Sequence, residues 1–278
     1  MTLNVSTPGS GHAETAASPI KAVIFDWAGT MIDFGSFAPM GAFVEAFATF
    51  DVSITMAEAR QPMGLPKWKH IEAMMQAPAI AERWQKVHGH LPGKADIDAL
   101  YAVFVPINEN IVAKYATLVP GARATLAYLQ ARGIKVGSTT GYTRSIMAHV
   151  LPVAASQGYA PENLVCADDI AEGRPGPLGI YQCMVDLCVY PPSAIIKVDD
   201  TEPGIGEGVA AGCLTVGVAL SGNFVGRTHE ELAAMTDAEI AVLRDHAAAK
   251  LLAAGADHVI DSVADLPQLL ERLGLTTS

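Results

Sequence analysis

The sequence predicts an α/β fold: a doubly wound parallel sheet with an α-helical cap inserted after its first strand. Three observations predict it. A short apolar run at residues 22–25 ends in Asp26 and a glycine turn. Residues 34–118 contain several helical patterns and no convincing strand. From residue 119 onward, strand and helix patterns alternate, which implies right-handed crossovers and a parallel sheet.

The first strand lies in the stretch KAVIFDWAGTMID, residues 21–33. Its apolar residues are strand formers, and Gly29 and Thr30 turn the chain shortly after Asp26. This pattern is typical of a buried parallel strand that delivers a polar side chain to the carboxyl edge of a sheet, where open α/β sheets bind ligands. The alternative is an aspartate that caps a following helix. The rest of the chain favours the strand, because it supplies the partners that a catalytic aspartate needs.

The segment after the first strand is predicted to be a helical cap. Apolar patterns predict helices at residues 40–50, 68–76, 78–88 and 94–118, the last with a kink at Pro106. Thr55 and Glu58 have the spacing of a capping box, which predicts a short helix there. We therefore divide the chain into a disordered tail (1–19), an α/β core (20–33 and 119–278) and a helical cap (34–118).

Alternating elements continue the core after residue 119. Strands are predicted at residues 134–139, 164–167, 194–198, 214–219 and 258–260. Helices are predicted at residues 121–132, 143–157, 177–189, 203–211, 230–254 and 266–273. The first strand joins the sheet that the later strands form, so the helical segment is an insertion into the core.

The composition limits the class of protein. Lys and Arg total 18 and Asp and Glu total 29, and the net charge of −11 argues against non-specific nucleic-acid binding and against an anionic membrane surface. An anionic substrate stays compatible, because local cations and a metal reverse the field inside a cleft. No apolar run reaches the roughly 18 residues of a membrane span, and residues 1–18 lack a secretory-signal pattern. The four cysteines form no zinc pattern, which indicates a reducing, cytoplasmic compartment.

Polar side chains follow four of the predicted strands, and strand ends at one edge of a parallel sheet converge. They are Asp26, then Thr139, Thr140 and Gly141 of a glycine turn, then Arg174 in the loop GRPGP, and finally Asp199 and Asp200. The acids suit a hard cation such as Mg²⁺, whereas a hydroxyl, nearby amides and an arginine suit phosphate oxygens. A carboxylate beside a metal and a phosphate can attack phosphorus and form an aspartyl-phosphate. Each feature alone is also explained by a helix cap, a turn or a surface arginine.

This order of residues resembles the haloacid dehalogenase superfamily, over roughly residues 20–260. Phosphatases of that superfamily read D-x-D-G-T, and their second aspartate protonates the leaving alkoxide. Here the string is DWAGT, with Ala28 in that place. Alanine cannot donate a proton, although its carbonyl can still bind a metal. An ordinary phosphate ester is therefore an unattractive substrate, because its alkoxide would leave without an acid.

The predicted cap contains a replacement for the missing acid in the segment MGLPKWKH, residues 63–70. A desolvated lysine amine forms a Schiff base with a carbonyl compound. An iminium beside a carbon–phosphorus bond is an electron sink, so the carbon can leave as an enamine. The alternative is that Lys67, Lys69 and His70 form a solvated basic face.

Together, DWAGT and MGLPKWKH are similar to the phosphonoacetaldehyde hydrolase family, the phosphonatase branch of the superfamily, and the strings TTGYT, GRPGP and VDDTEPG also resemble its loops. The resemblance implies hydrolysis of the carbon–phosphorus bond of phosphonoacetaldehyde with Mg²⁺ as cofactor, by a homodimer that contacts through cap helices. It implies the catalytic residues Asp26, Lys67 and His70 and the metal-binding residues Asp26, Ala28 and Asp200. It implies the substrate-binding residues Met63, Gly64, Thr140, Gly141, Tyr142 and Arg174.

One position departs from some relatives, which carry an additional acid four residues after the metal-binding aspartate. In this chain that position is Gly204, and Asp199, Glu202 and Glu207 are the candidates to compensate. Two alternatives to the phosphonatase stay open. One is a capped phosphatase or dehalogenase of the same superfamily, whose turnover would not depend on Lys67. The other is a non-catalytic member that binds a phosphorylated metabolite.

Overall fold

A five-stranded parallel sheet forms the centre of the molecule in the computed structural model, which describes residues 20–275. Its strands are β1 (Ala22–Phe25), β2 (Lys135–Ser138), β3 (Ile195–Asp199), β4 (Leu214–Val218) and β5 (His258–Ile260). They lie in the order β2-β1-β3-β4-β5. The predicted α/β class with a parallel sheet is confirmed. The predicted tail, residues 1–19, lies outside the described residues.

Strand β1 lies inside the sheet, because it pairs with β2 on one side and β3 on the other. All four of its residues are buried, which explains the unbroken apolar run. Phe25 is in register with Ser138 of β2 and Val198 of β3, so the residues that follow these three strands meet at one edge of the sheet.

The predicted strand at residues 164–167 is wrong in extent, since only a single bridge joins Val165 to Thr139. The next two amides are bonded elsewhere: Cys166 N donates to Asp169 Oδ2 at 2.7 Å and Ala167 N donates to Tyr142 O at 2.9 Å. The apolar pattern marks a buried segment there, but these two bonds take the amides out of the sheet pairing.

Five helices form an insert between β1 and the rest of the chain: α1 (Ala38–Ala48), α2 (Met56–Arg60), α3 (Lys67–Gln76), α4 (Pro78–His88) and α5 (Lys94–Val112). We call α1–α5 the helical insert. A short 3₁₀ turn, Ala113–Tyr115, follows α5, so the helix predicted to reach residue 118 ends earlier. The capping box predicted at Thr55 is present, with Glu58 N donating to Thr55 Oγ1 at 3.1 Å.

Seven further helices accompany the sheet: α6 (Ala122–Ala131), α7 (Arg144–Ser156), α8 (Leu178–Leu187), α9 (Glu202–Ala211), α10 (His229–Ala233), α11 (Asp237–Ala253) and α12 (Leu266–Arg272). The region predicted as mostly helical at residues 230–254 is divided into α10 and α11. Separate capping boxes at Thr228 and Thr236 begin the two helices.

The helical insert has its own hydrophobic cluster, formed by buried residues between Met40 and Phe104. Phe43 and Phe104 stack at its centre with ring centroids 4.3 Å apart. A larger cluster surrounds the sheet and includes Phe25 and Trp27. Within residues 20–275, no helix combines the length and the apolar character that crossing a membrane requires.

The segment at residues 63–66 brings the helical insert directly onto the edge of the sheet. Gly64 has φ +93°, and a Cβ there would lie 2.3 Å from Thr201 Oγ1. A Cβ on Gly173 would lie 2.7 Å from Pro66 Cγ, and one on Gly141 would lie 3.0 Å from Leu65 O. Glycine is therefore required on both sides of this contact for such a close approach.

Candidate active site

The turn after β1 presents Asp26 and packs against a second acid. Trp27 O accepts hydrogen bonds from the amides of Thr30 (3.2 Å) and Met31 (2.8 Å), which closes the turn. Gly29 lies within it with φ +89°, and a Cβ there would fall 2.2 Å from Asp200 Oδ2. The glycine of DWAGT is thus needed both for the backbone conformation and for the approach of Asp200.

Three buried carboxylates converge at this edge, with one oxygen each from Asp26, Asp199 and Asp200 within 4.8 Å of one another. Thr30 Oγ1 donates to Asp200 Oδ1 at 3.1 Å, and Asn223 N donates to Asp200 Oδ2 at 2.7 Å. Burial and the charge of Asp199 raise the pKa of Asp26 to about 6, and burial with Asp26 and Asp199 raises the pKa of Asp200 well above its usual value. A divalent cation fits this oxygen donor set and would relieve the mutual repulsion.

The position of Gly204 is explained by the same cluster. A Cβ on Gly204 would lie 2.0 Å from Asp199 Cγ, so the carboxyl group of Asp199 occupies the volume that a larger side chain would need. Glu202 is exposed at the start of α9, and Glu207 pairs with Arg174 and Lys197 and is not one of the three clustered acids. Of the three compensating candidates, only Asp199 lies in the acid cluster.

Arg174 links Asp26, the candidate nucleophile, to Thr139, which follows β2. Its Nη1 donates to Asp26 Oδ1 at 2.8 Å, and its Nη2 donates to Thr139 O at 2.8 Å. Its Nε donates to Glu207 Oε2 at 3.0 Å. With bonds from three nitrogens, the plane of the guanidinium group is fixed beside the carboxylate that it pairs with.

A second buried cation, Lys197, was not singled out as a site residue from the sequence. Its Nζ lies 2.8 Å from Thr139 Oγ1, 3.0 Å from Asp199 Oδ2 and 3.2 Å from Glu207 Oε2. Although burial raises the pKa of Asp199, Arg174 and Lys197 hold that pKa below its usual value. The available signal was a lysine inside the apolar strand IIKVD, since a buried lysine requires acidic partners.

Lys67 is the first residue of α3 and is only 4% exposed. Its Nζ lies 4.0 Å from Met63 Sδ and 5.0 Å from the centre of the Tyr142 ring. Burial lowers the pKa of Lys67 to about 8, against the opposing charge of Asp26. About a tenth of the amine is therefore uncharged at pH 7, far more than for an ordinary lysine, and imine formation requires this neutral form. The alternative of a solvated basic face is wrong for Lys67.

His70 lies on α3 and is completely buried. Its Nε2 donates to Ala59 O at 2.8 Å, and its ring stacks on Phe43 with centroids 4.2 Å apart. Burial and the nearby charge of Lys67 lower the pKa of His70 well below its usual value, so the imidazole is neutral. Lys69, by contrast, is exposed and pairs with Glu72 at 2.8 Å.

Most of the candidate site residues line one small cavity of about 20 Å³. Its lining is Asp26, Ala28, Met63, Gly64, Lys67, Thr140, Tyr142 and Thr201. Gly141 and Arg174 line a neighbouring cavity, and Asp200 and His70 line neither. Residues from the helical insert and from the sheet edge therefore line one small cavity. It has room for about one water molecule, so a substrate requires the insert to move.

The fold and these strand-end residues together define a haloacid dehalogenase-like hydrolase, and the model of that family matches residues 20–212. The phosphonoacetaldehyde hydrolase of Paraburkholderia phytofirmans is 52% identical over 247 residues, covering 89% of this chain and 92% of that protein. The phosphonoacetaldehyde hydrolase of Klebsiella pneumoniae is 50% identical over 253 residues, covering 90% and 94%.

Solved structures agree with this assignment. A phosphonoacetaldehyde hydrolase-like protein from Oleispira antarctica has a TM-score of 0.91 and 43% identity, covering 98% of this chain and 96% of that one. A hydrolase from Pseudomonas syringae, with a TM-score of 0.66 and 15% identity, shares the fold alone. The chain belongs to the phosphonoacetaldehyde hydrolase family.

Proposed function

We propose that this chain hydrolyses the carbon–phosphorus bond of phosphonoacetaldehyde to acetaldehyde and phosphate, through a Lys67 imine and an acyl phosphate on Asp26. The observation that carries the mechanism is that a buried lysine, whose pKa is lowered to about 8, lines the same small cavity as the aspartate that follows β1. An imine-forming amine and a nucleophilic carboxylate in one space match a substrate that has an aldehyde on one carbon and a phosphonate on the next.

The first step is condensation of the Lys67 amine with the aldehyde, which releases water. Asp26 then attacks phosphorus with the carboxylate oxygen that is not bonded to Arg174. The carbon–phosphorus bond breaks, its electron pair enters the iminium, and an enamine is left. Protonation of the enamine carbon and hydrolysis of the resulting imine release acetaldehyde and restore the lysine. Water finally cleaves the aspartyl-phosphate and releases phosphate.

The residues of this site fit a reaction that needs no acid to protonate a leaving alkoxide. Ala28 replaces the second aspartate of the phosphatase motif and lines the cavity. Because the leaving carbon is accepted by an iminium, the step needs no proton donor at that position. This favours a phosphonate over a phosphate ester, and Lys67-dependent turnover separates our proposal from a phosphatase or a dehalogenase.

Asp26, the carbonyl of Ala28 and Asp200 would hold Mg²⁺, with Asp199 beside them. The ion would offset the charge of the phosphoryl oxygens and of the three acids. We assign Arg174 and Thr140, with Gly141, to the phosphoryl oxygens. Met63, Gly64 and Tyr142 enclose the reacting amine, which excludes water from the enamine.

His70 acts on Lys67 rather than on the substrate. As a neutral ring that donates to Ala59 O and stacks on Phe43, it fixes the first turns of α3, where Lys67 begins. A contribution of His70 to proton transfer, which the family resemblance implies, would need its Nδ1, the ring nitrogen that has no protein partner within residues 20–275.

Residues 34–118 serve as a cap domain over an α/β core in this proposal, and the separate hydrophobic cluster of the helical insert supports that division. The family resemblance supports a homodimer that contacts through the insert. Four unpaired thiols support a cytoplasmic location.

Borohydride trapping tests the proposal. The protein is incubated with Mg²⁺ and phosphonoacetaldehyde and reduced, and peptide mass spectrometry locates the adduct. We expect a two-carbon adduct on Lys67, its loss in Lys67→Arg, and its retention in Lys69→Arg, which changes an exposed lysine of the same helix. An unmodified Lys67 in folded wild-type protein would favour a phosphatase or a dehalogenase, and Mg²⁺-dependent ligand binding without turnover would favour a non-catalytic member.

A further inference from the structure

Arg60, the last residue of α2, joins three separate segments of the chain. Its Nη1 lies 2.7 Å from Gly35 O and 3.2 Å from Ser36 O, in the linker between β1 and the helical insert. The same nitrogen lies 3.3 Å from Asn223 Oδ1, in the loop that follows β4. Asn223 Nδ2 in turn donates to Arg60 O at 3.3 Å.

The surroundings of Arg60 are shaped to receive a guanidinium group. A Cβ on Gly226 would lie 2.8 Å from Arg60 Cζ, so the glycine leaves the space that the group fills. On another side, Arg60 Cζ lies 5.0 Å from the centre of the Phe37 ring, within range of a cation–π contact. These contacts hold α2 against the core when the insert is closed.

The loop that Arg60 contacts also holds Asp200. Asn223, only 4% exposed, donates its backbone N–H to Asp200 Oδ2 at 2.7 Å. A Cβ on Gly222 would lie 2.6 Å from Asp200 Cβ, so the loop backbone is pressed against this side chain. Ser221 Oγ donates to Gly29 O at 2.8 Å, which ties the loop to the turn after β1 as well.

We propose that Arg60 is a positioning residue that couples closure of the helical insert to the orientation of Asp200 through Asn223. Opening the insert removes the Arg60 contacts from the loop and thereby loosens the amide that holds Asp200. Coupling of this kind is reciprocal, so a cation bound at Asp200 also favours the closed insert. The inference rests on the proposed function only in assigning Asp200 to the metal.

Two measurements on the full-length protein test this coupling with Mg²⁺ as the probe. Calorimetry gives the Mg²⁺ dissociation constant, and hydrogen–deuterium exchange with mass spectrometry reports on residues 60–67 and 219–226. We expect Arg60→Ala to weaken Mg²⁺ binding by about 5-fold or more and to speed exchange in both segments. In the wild type Mg²⁺ slows exchange at residues 60–67, and in the variant this effect is lost.

Arg83→Ala is the matched control, because Arg83 pairs with Glu58 inside the helical insert. It removes an arginine ion pair from α4 and should leave both measurements at their wild-type values. Arg60→Lys keeps the charge but offers one nitrogen in place of a planar fork, so a smaller change in the same direction is expected and covers the case in which Arg60→Ala does not fold.

A double-mutant cycle tests whether Arg60 acts on Asp200 through Asn223. If Arg60 acts through Asn223, then Asn223→Ala weakens Mg²⁺ binding, and adding Arg60→Ala has little further effect. Faster exchange at residues 60–67 with unchanged Mg²⁺ affinity would overturn the coupling, and additive effects would overturn the route through Asn223. Neither measurement uses the aldehyde or turnover, so a failure to trap an imine in the wild type would reject the proposed function without deciding this inference.

Discussion

Gly64→Ala tests whether the close approach of the helical insert to the sheet edge is required for activity. The new methyl group would lie 2.3 Å from Thr201 Oγ1 and 2.7 Å from Thr201 Cβ, whereas ordinary contacts begin near 3.4 Å. The segment must therefore move away from the core by about 1 Å, and Lys67, three residues later, moves with it. A misplacement of about 1 Å in an active site can cost about 100-fold in rate.

The substitution also forces alanine into a left-handed backbone conformation, which costs about 1–2 kcal/mol of folding stability by itself. Gly89→Ala is the matched control, because Gly89 also belongs to the helical insert and has φ +80°, yet a Cβ there meets nothing within 4 Å. Both variants should lose the stability that the left-handed conformation costs, Gly64→Ala should lose more because of its clash with Thr201, and only Gly64→Ala should lose about 100-fold in kcat/KM.

Phosphate release from phosphonoacetaldehyde gives kcat/KM, and thermal denaturation gives the stability of each variant. Near-wild-type kcat/KM in Gly64→Ala, with a stability loss equal to that of Gly89→Ala, would refute the reasoning. So would a 100-fold loss in both variants, because that result would attribute the defect to the backbone conformation and not to the contact with Thr201.

Four further predictions follow from the buried charges. Because burial lowers the pKa of Lys67 to about 8, the initial rate of borohydride trapping should rise with pH and level off above about pH 8; a flat profile from about pH 6 to 9 would contradict this. Glu207→Gln removes the charge that holds Arg174 Nε, so the inhibition constant of inorganic phosphate should rise about 10-fold, and an unchanged constant would count against this role. Lys197→Met leaves Asp199 and Glu207 without one of their cations and should lower the free energy of unfolding in urea by about 3–5 kcal/mol. A loss below about 1 kcal/mol would show that the ion pairs of Lys197 contribute little to stability. Chelation by EDTA should stop phosphate release but leave imine trapping on Lys67, because its amine is not a metal ligand, and loss of both would place the metal in imine formation.

The strand ends could be predicted because local pattern and topology determine them together. The apolar run before Asp26 and the pair Asp199 and Asp200 mark parallel strands, and parallel strands bring their carboxyl ends to one edge. The cavity does contain Asp26 and Lys67, which lie on different elements. That Asp26 and Lys67 lie close together could not be inferred from either segment alone and was expected from the family resemblance.

The contacts of Arg60, Lys197 and Glu207 could not be predicted, because each depends on side chains far apart in the sequence. Lys197 interrupts an apolar strand, yet its partners Thr139 and Glu207 are known only once β2 and α9 are placed. Glu207 was predicted as a possible metal-site acid, and the structure instead pairs it with Arg174. A charged residue in an apolar pattern indicates burial but does not identify its partner.

The interior position of β1 in the sheet affects the order in which the molecule can be completed during synthesis. Ala22 pairs with Lys135 on one side and with Ile195 on the other, so the first of these strands to be made waits for its second neighbour until β3 has been synthesised. The hydrophobic cluster of the helical insert uses residues between 40 and 104 and can form long before. A nascent chain therefore carries a folded insert beside an unpaired apolar strand, the kind of edge that chaperones protect. The chain can become active only after β3 has been synthesised, because Asp199 and Asp200 lie at the end of that strand.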